Sequence, residues 1–404
     1  MLAVGLTLSL RSTNFSSRQI LVVFTANDNG VLRECDCPEK PFGGLARRKT
    51  LLNQIRAEEG DFLLVDAGDF LSSMGRQRND EYVLRAYEMM NYDGVAVGDQ
   101  ELLNGRKFFQ KKTLASKLWV VSANLNLRDT ADSRLLPYFV KEVNGIKIGV
   151  VGILFPDATA YLPAVRRQEF QLESPVSVLK KILPEVRKKV DVLLLLTHGT
   201  EQEIVSLAKD FPEIDVMVAG HSETAVSDSV QMINGKPILR CGYDGEHVGK
   251  LFLRLDQNRK VESLSVRLQP IGPQLPGDPK LANFVDEYFR ELKAWTQKNV
   301  MAVSQAGMFL GAEYCRQCHV VEYDIWKASP HAQATTLQKS DRGAENSAAE
   351  RLAAAQCQTC HKVDVHHGEM AEEAAVPPVS SEYCFPCHHG SSFNFAESIK
   401  KIVH

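Results

Sequence analysis

The chain has 404 residues, 44% of them hydrophobic and 24% charged, with a formal net charge of -3 at neutral pH. This is the composition of a soluble globular protein with room for two or three domains. The charge balance argues against nucleic acid or an anionic membrane surface as a partner. No apolar run approaches the roughly 20 residues that a membrane-crossing helix needs, so no transmembrane segment is expected.

Residues 1–19 read as a frayed tail or a shortened export signal. Leu2 to Leu10 is apolar, but no basic residue precedes it and Arg11 follows. Ile20 to Thr25 is a buried-strand run, followed by the turn Asn27-Asp28-Asn29-Gly30. Gly43-Gly44 opens a helix through about Arg56, and Asp61 to Val65 is a second strand that ends in Asp66-Ala67-Gly68-Asp69. A helix over Asp80 to Met90 leads to a short strand, Gly94 to Val97, ending in Gly98-Asp99-Gln100-Glu101. Strands recur at Leu118 to Ala123, Phe139 to Val143 and Ile146 to Leu154, and a helix covers Val176 to Lys189. Val190 to Leu196 is a strongly apolar strand that runs into Thr197-His198-Gly199, and Ile214 to Ala219 is another that runs into Gly220-His221. Gly249 to Leu255 and Val261 to Leu268 alternate as an antiparallel pair. A Pro- and Gly-rich turn from Pro270 precedes a long helix to about Asn299, so residues 273–309 read as linker and connecting helix.

Strands alternating with helices over residues 20–272 indicate an α/β sandwich. Asp69, Asp99, His198 and His221 each fall just past the C-terminal end of a strand. Ligand sites gather there in such sheets. Carboxylate with imidazole is a donor set for hard to borderline divalent metals. One residue of this kind is more often a cap or turn; four after four strands point to a site.

The remaining stretch, residues 310–404, is organised differently. Cys-x-x-Cys-His occurs three times: first as Cys315, Cys318 and His319, then as Cys357, Cys360 and His361, and last as Cys384, Cys387 and His388. Each can attach one c-type haem through two thioethers, with the His as proximal iron ligand. A zinc half-site or redox pair does not account for a His after the second Cys in every copy. His331, His366, His367, His389 and His404 lie outside the motifs, and Met370 is the single methionine beyond Met308. Three bis-histidine haems are therefore expected, with His331, His404 and one of His366 or His367 as distal ligands. Apolar residues are too sparse for an ordinary core, so the porphyrins themselves would supply it. Covalent haem attachment in bacteria occurs outside the cytoplasm, which implies a periplasmic or extracellular protein.

The succession of motifs in residues 20 to about 270 resembles calcineurin-like metallophosphoesterases of the 5′-nucleotidase type, including Gly-Gly-Leu-Ala-Arg-Arg at Gly43 to Arg48. The resemblance implies a four-layer αββα sandwich whose motif residues bind two metals. Those metals activate a water and clamp a phosphoryl group. Asp69, His198 and His221 stand where the family has ligands. The first motif's Asp and His correspond to Asn27 and Asn29, unless Asp28 substitutes by a one-residue shift. Gly-Asn-His-Glu has become Gly98-Asp99-Gln100-Glu101, and Gly-His-x-His has become Gly220-His221-Ser222-Glu223. Asp99, Gln100 and His198 occupy the catalytic positions. These departures leave one divalent ion (Zn, Mn or Fe) as the expectation, held by Asp69, Asp99, His198 and His221, with Asn27, Glu223, Cys35 and Cys37 as further candidate ligands. The family's nucleotide-gripping C-terminal domain is replaced by the haem tail.

Residues 310–404 resemble small tetrahaem electron carriers. The matching pieces are Tyr314-Cys315, the run Trp326 to Ala332 that contains His331, the pair His366 and His367, and His404 after Phe393 and Phe395. A small, haem-packed, mostly helical or irregular cytochrome domain follows from that likeness.

Three cysteines remain. Cys35 and Cys37 are too close to bridge one another easily. Cys241 either pairs with one of them, as suits an exported protein, or joins a thiolate-assisted metal site that favours zinc or iron.

Together these readings describe an exported trihaem cytochrome fused to a phosphoesterase-like domain. Its expected partners are redox proteins or other cytochromes, with self-association as a further expectation. Two alternatives stay open: an active phosphohydrolase with accessory haems, and a non-catalytic sandwich used for docking or assembly. The haem count is directly testable. Fully matured, denatured protein should retain haem on the chain, with a pyridine haemochrome ratio near three per chain by the motif rule. A ratio of one or two would show that some motifs stay empty.

Overall fold

A computed structural model describes residues 19–34, 41–73, 75–127, 132–221 and 230–305. The chain divides into two units between Asn283 and Phe284. The first unit holds every strand among the described residues, in two large sheets and one small one.

The larger sheet has seven strands, in the spatial order Val261–Pro270, His247–Leu255, Gln19–Thr25, Leu63–Asp66, Gly94–Ala96, Trp119–Val121 and Leu135–Leu136. Gln19–Thr25 runs parallel to Leu63–Asp66 and antiparallel to His247–Leu255. The second sheet has six, in the order Gln231–Ile233, Lys236–Leu239, Val216–Gly220, Val192–His198, Ile146–Leu154 and Tyr138–Val143. Its three central strands are parallel. Leu125–Leu127 and Phe170–Leu172 form the small antiparallel pair.

Period-two side-chain alternation explains the layering. In Val192–His198, the residues Val192, Leu194 and Leu196 enter the core between the two sheets, with Ile20, Val22, Phe24, Leu63, Val65, Val150 and Val218. Leu193 and Leu195 face the other way, into a core with Leu179, Leu183 and Val186 of the helix Pro175–Arg187, and with Ile204 and Leu207 of the helix Glu201–Asp210. A strand apolar on both faces must be covered on both. Leu45, Leu51, Leu52 and Ile55 are buried apolar side chains of the helix Leu45–Glu59, and Val83, Leu84, Ala86, Tyr87 and Met90 are buried in Gln77–Met90.

The helix Glu201–Asp210 was not among the elements expected from sequence. It starts with a capping box: Thr200 Oγ1 accepts from Glu203 N, and Glu203 Oε2 accepts from Thr200 N at 2.8 Å. That Thr-x-x-Glu signal ends the strand at His198 and turns the chain away at once. The long helix expected after the Pro- and Gly-rich turn is Pro279–Gln305.

A buried polar knot anchors the first motif loop. Both Arg48 and Asp28 are almost wholly out of solvent. The guanidinium grips the carboxylate with two nitrogens: Nη1 donates to Oδ2, and Nη2 to Oδ1 at 2.8 Å. Tyr87 donates to Asp28 Oδ2, and its hydroxyl oxygen lies 3.1 Å from Asp66 Oδ2, which accepts from Thr25 Oγ1 at 2.5 Å. Burial and the neighbouring Asp28 charge push the Asp66 carboxyl up to about 7. The knot thus joins the loop after the first strand, two helices and the end of Leu63–Asp66. Asp28 does not substitute for the missing motif aspartate, because its carboxylate is committed to Arg48.

Removing the cation of such a pair strands a buried charge. Arg48→Met should lower the unfolding free energy by roughly 3–5 kcal/mol, measured by urea unfolding of the full chain. A loss under about 1 kcal/mol would place the pair among interactions of surface-pair strength.

Candidate metal centre

Each ligand position is delivered by a strand end. His198 is the last residue of Val192–His198, and His221 directly follows Val216–Gly220. Asp69 lies three residues beyond Leu63–Asp66, and Asp99 three beyond Gly94–Ala96. Their ligand atoms all lie within 4.8 Å of one another. His198 Nε2 is 3.1 Å from Asp69 Oδ2 and 3.4 Å from Asp99 Oδ1. His221 Nδ1 is 3.3 Å from Asp99 Oδ1 and 4.0 Å from Asp69 Oδ2. Burial opposes the Asp69 charge, but His198 and His221 outweigh it and hold the carboxyl well below the usual range. Burial likewise opposes a charged His221, yet Asp69 and Asp99 raise it to about 9.

The backbone around these side chains is held in place. Asp69 and His221 are in left-handed conformation, at φ 58° and 60°, as are Asn27, Asn29 and Asp244 at 57°, 54° and 53°. Such residues cost energy and persist where their surroundings hold them. Gly98 is required by close approach: a Cβ there would collide with Asp69 Oδ1 and press on the His198 ring. Glu101, fully buried, accepts from three backbone N–H groups: Asp69 and Gly98 through Oε2 at 2.9 and 2.7 Å, and Leu71 through Oε1 at 3.0 Å. Burial and the Asp69 charge push its carboxyl up to about 8.

Over residues 314–390 the chain matches the family model described as cytochrome c554 and c-prime. It is 28% identical over 265 residues to a 5′-nucleotidase of Vibrio cholerae, covering 57% of this chain and 48% of that one. It is 26% identical over 282 residues to a 2′,3′-cyclic-nucleotide 2′-phosphodiesterase/3′-nucleotidase of Haemophilus influenzae, covering 58% and 42%. The chain thus spans about half the length of these curated relatives. The 5′-nucleotidase precursor of Thermus thermophilus superposes with a TM-score of 0.60 at 21% identity, covering 71% of this chain and 60% of that one. The chain joins a 5′-nucleotidase-like domain, with the metallophosphoesterase-type α/β fold, to a cytochrome c554 domain.

The donor set of the 5′-nucleotidase-like domain fits one divalent ion. Asp99 Oδ1 and His198 Nε2 are buried and make no well-aligned hydrogen bond, which a cation between them would remedy. His198 Nδ1 sits 3.1 Å from Ala67 O. A proton on Nδ1 donates to that carbonyl and leaves Nε2 as the ligand atom. Donors about 2.0–2.2 Å from an ion would lie within the observed mutual distances.

The other expected ligands divide into two groups. Cys35, Cys37 and Glu223 lie outside the described residues. So do the haem-attachment residues Cys315, Cys318 and His319 of the first motif, Cys357, Cys360 and His361 of the second, and Cys384, Cys387 and His388 of the third. The expected distal ligands His331, His366, His367 and His404 lie outside them as well. Asn27 is described: its Oδ1 accepts from His221 N at 2.8 Å, and its amide donates to Gly242 O at 3.3 Å. Cys241 is a free, buried thiol within the core between the sheets and stands outside the four clustered ligand atoms. Burial and the carboxylates of Asp28 and Asp66 raise its pKa, which keeps it protonated.

Glu101 was read from sequence only as the last letter of a motif. Its place as the carboxylate that ties Asp69 to Gly98 emerges from the fold. Partners behind a metal ligand typically tune affinity by about 10–100-fold. Glu101→Ala should weaken manganese or zinc binding within that range, read by calorimetric titration of chelator-stripped protein, while Glu88→Ala, at a more distant surface position, should not.

Proposed function

We propose that this is an exported trihaem c-type cytochrome whose haem segment carries electrons, fused to a 5′-nucleotidase-like domain that binds one divalent ion and hydrolyses phosphate esters weakly or not at all. The observation that carries the electron-transfer reading is that all three Cys-x-x-Cys-His motifs, Cys315 to His388, fall inside the segment matching the cytochrome c554 model. Expected bis-histidine ligation would deny the irons the potential-raising effect of a methionine ligand. Redox proteins or other cytochromes are the partners such a segment serves.

Weak hydrolysis follows from the chemistry of the substituted side chains. A divalent ion at Asp69, Asp99, His198 and His221 would supply Lewis acidity to a phosphoryl oxygen. In-line displacement assisted by two metals needs an ion on both the attacking and the leaving oxygen. Asn27 and Asn29 are neutral and engaged with protein partners. Gln100 cannot hand over a proton as an imidazolium can, and the loss of one general acid costs about 10²–10⁴-fold.

The second reading is a working phosphohydrolase with the cytochrome as an accessory. The intact four-residue ligand set favours it. Turnover separates the two. With added manganese or zinc, hydrolysis of AMP and of an aryl phosphate should fall well below the ~10 s⁻¹ enzyme median. Rates near that median, abolished by Asp69→Ala, would make hydrolysis the main activity.

A further inference from the structure

Beside the four ligand atoms lies a second constellation that neither the fold nor the electron-transfer reading uses. Asn29 Oδ1 accepts from Gln100 Nε2 at 2.8 Å, and Asn29 Nδ2 donates to Asp244 Oδ1 at 2.8 Å. Asn27 Oδ1 accepts from His221 N at 2.8 Å, and Asn27 Nδ2 donates to Gly242 O at 3.3 Å. Backbone bonds run alongside: Asp244 N to Asn27 O at 2.8 Å, and Asn29 N to Asp69 O at 2.9 Å. Three amide side chains therefore bind four loops together: 27–30, 98–101, 220–221 and 242–245.

We propose that Asn27, Asn29 and Gln100 form a neutral amide clasp that holds these loops without a cation and limits the site to one ion per chain. This rests on the one-ion reading above and adds the residues that enforce it. An amide offers one oxygen and one NH₂ group. The Oδ1 atoms of Asn27 and Asn29 each already accept a hydrogen bond. All three NH₂ groups are spent on Gly242 O, Asp244 Oδ1 and Asn29 Oδ1, and Gln100 Oε1 is the one amide oxygen of the three without a partner, a single neutral donor that cannot hold a second ion by itself. Asp244 is the carboxylate of the clasp, and it stands outside the group of four clustered ligands. A second ion would have to break the Gln100–Asn29 bond and take Asp244 from its amide donor.

A separate observation points the same way. Asn27, Asn29, Asp69, His221 and Asp244 carry the left-handed backbones of the site. The hydrogen bonds of the clasp begin or end on each of these residues. Strain of this kind needs an external hold, and here hydrogen bonds provide it, so the ligand loops keep their register after chelation.

The test uses the full haem-bearing chain, stripped with EDTA and reloaded with manganese, which is counted independently of haem iron. Wild-type protein should bind one Mn²⁺ per chain and show an uncoupled six-line EPR signal. Two ions per chain, or an exchange-coupled signal, would overturn the clasp whatever the turnover result. Asn29→Ala should lower the first melting transition of the EDTA-treated chain by about 4 °C and weaken Mn²⁺ binding about 10-fold. If either quantity stays at the wild-type value, Asn29 is not holding the site.

Discussion

Two carboxylates buried at the ends of parallel strands set the terms for this fold. Asp69 and Asp99 are both nearly excluded from water and close to the same two imidazoles. Isolated charges in such a place are costly, and the protein environment must answer them with protons, donors or a cation. His198 and His221 answer from one side. From the other, Gln100 N donates to Asp69 Oδ1 at 3.1 Å. The same charges that make the cluster expensive without a partner are those that would bind a divalent ion. Two carboxylates and two imidazoles gathered this deep in the structure are a donor set suited to a divalent ion.

The sandwich makes such an arrangement available at modest expense. Parallel strands place successive loop starts side by side, and the register is locked by apolar alternation on both faces of the central strands. His198 and Gly220 are paired residues of adjacent strands, so the two imidazoles become neighbours by sheet register alone. The Asp28–Arg48 pair then fixes the first loop from behind. It uses a carboxylate one residue away from each of the two asparagines that meet at the metal side. One short loop thus faces two ways, toward the knot with Asp28 and toward the centre with Asn27 and Asn29.

The cytochrome c554 segment is legible on a different physical basis. Its three Cys-x-x-Cys-His motifs are covalent attachment signals, each contained in five consecutive residues. The 5′-nucleotidase-like domain, by contrast, buries its own aliphatic strands in two side-chain cores.

Much of this was readable along the chain. The apolar runs at Ile20 to Thr25, Ile146 to Leu154 and Val190 to Leu196 announce strands, because burial on both faces demands near-continuous hydrophobicity; Asp191 interrupts the last, and its strand begins at Val192. Asp69, Asp99, His198 and His221 stand out because polar residues directly after such runs sit where binding sites form. The Cys-x-x-Cys-His motifs carry their chemistry in five consecutive positions, so no fold is needed to read them. The roles of Asn27, Asn29, Asp28 and Glu101 were of another kind. Whether Asp28 faces the metal or Arg48 depends on one left-handed turn and on a helix 20 residues away. The link from Asn29 to Asp244 spans 215 residues, and that from Glu101 to Asp69 spans 32. That Cys241 lies in the core between the two sheets is likewise visible only in the fold. Local pattern can mark a strand, a cap or a covalent attachment site, because their physics acts between near neighbours; which way a polar side chain turns is settled by partners that only folding brings within hydrogen-bonding distance.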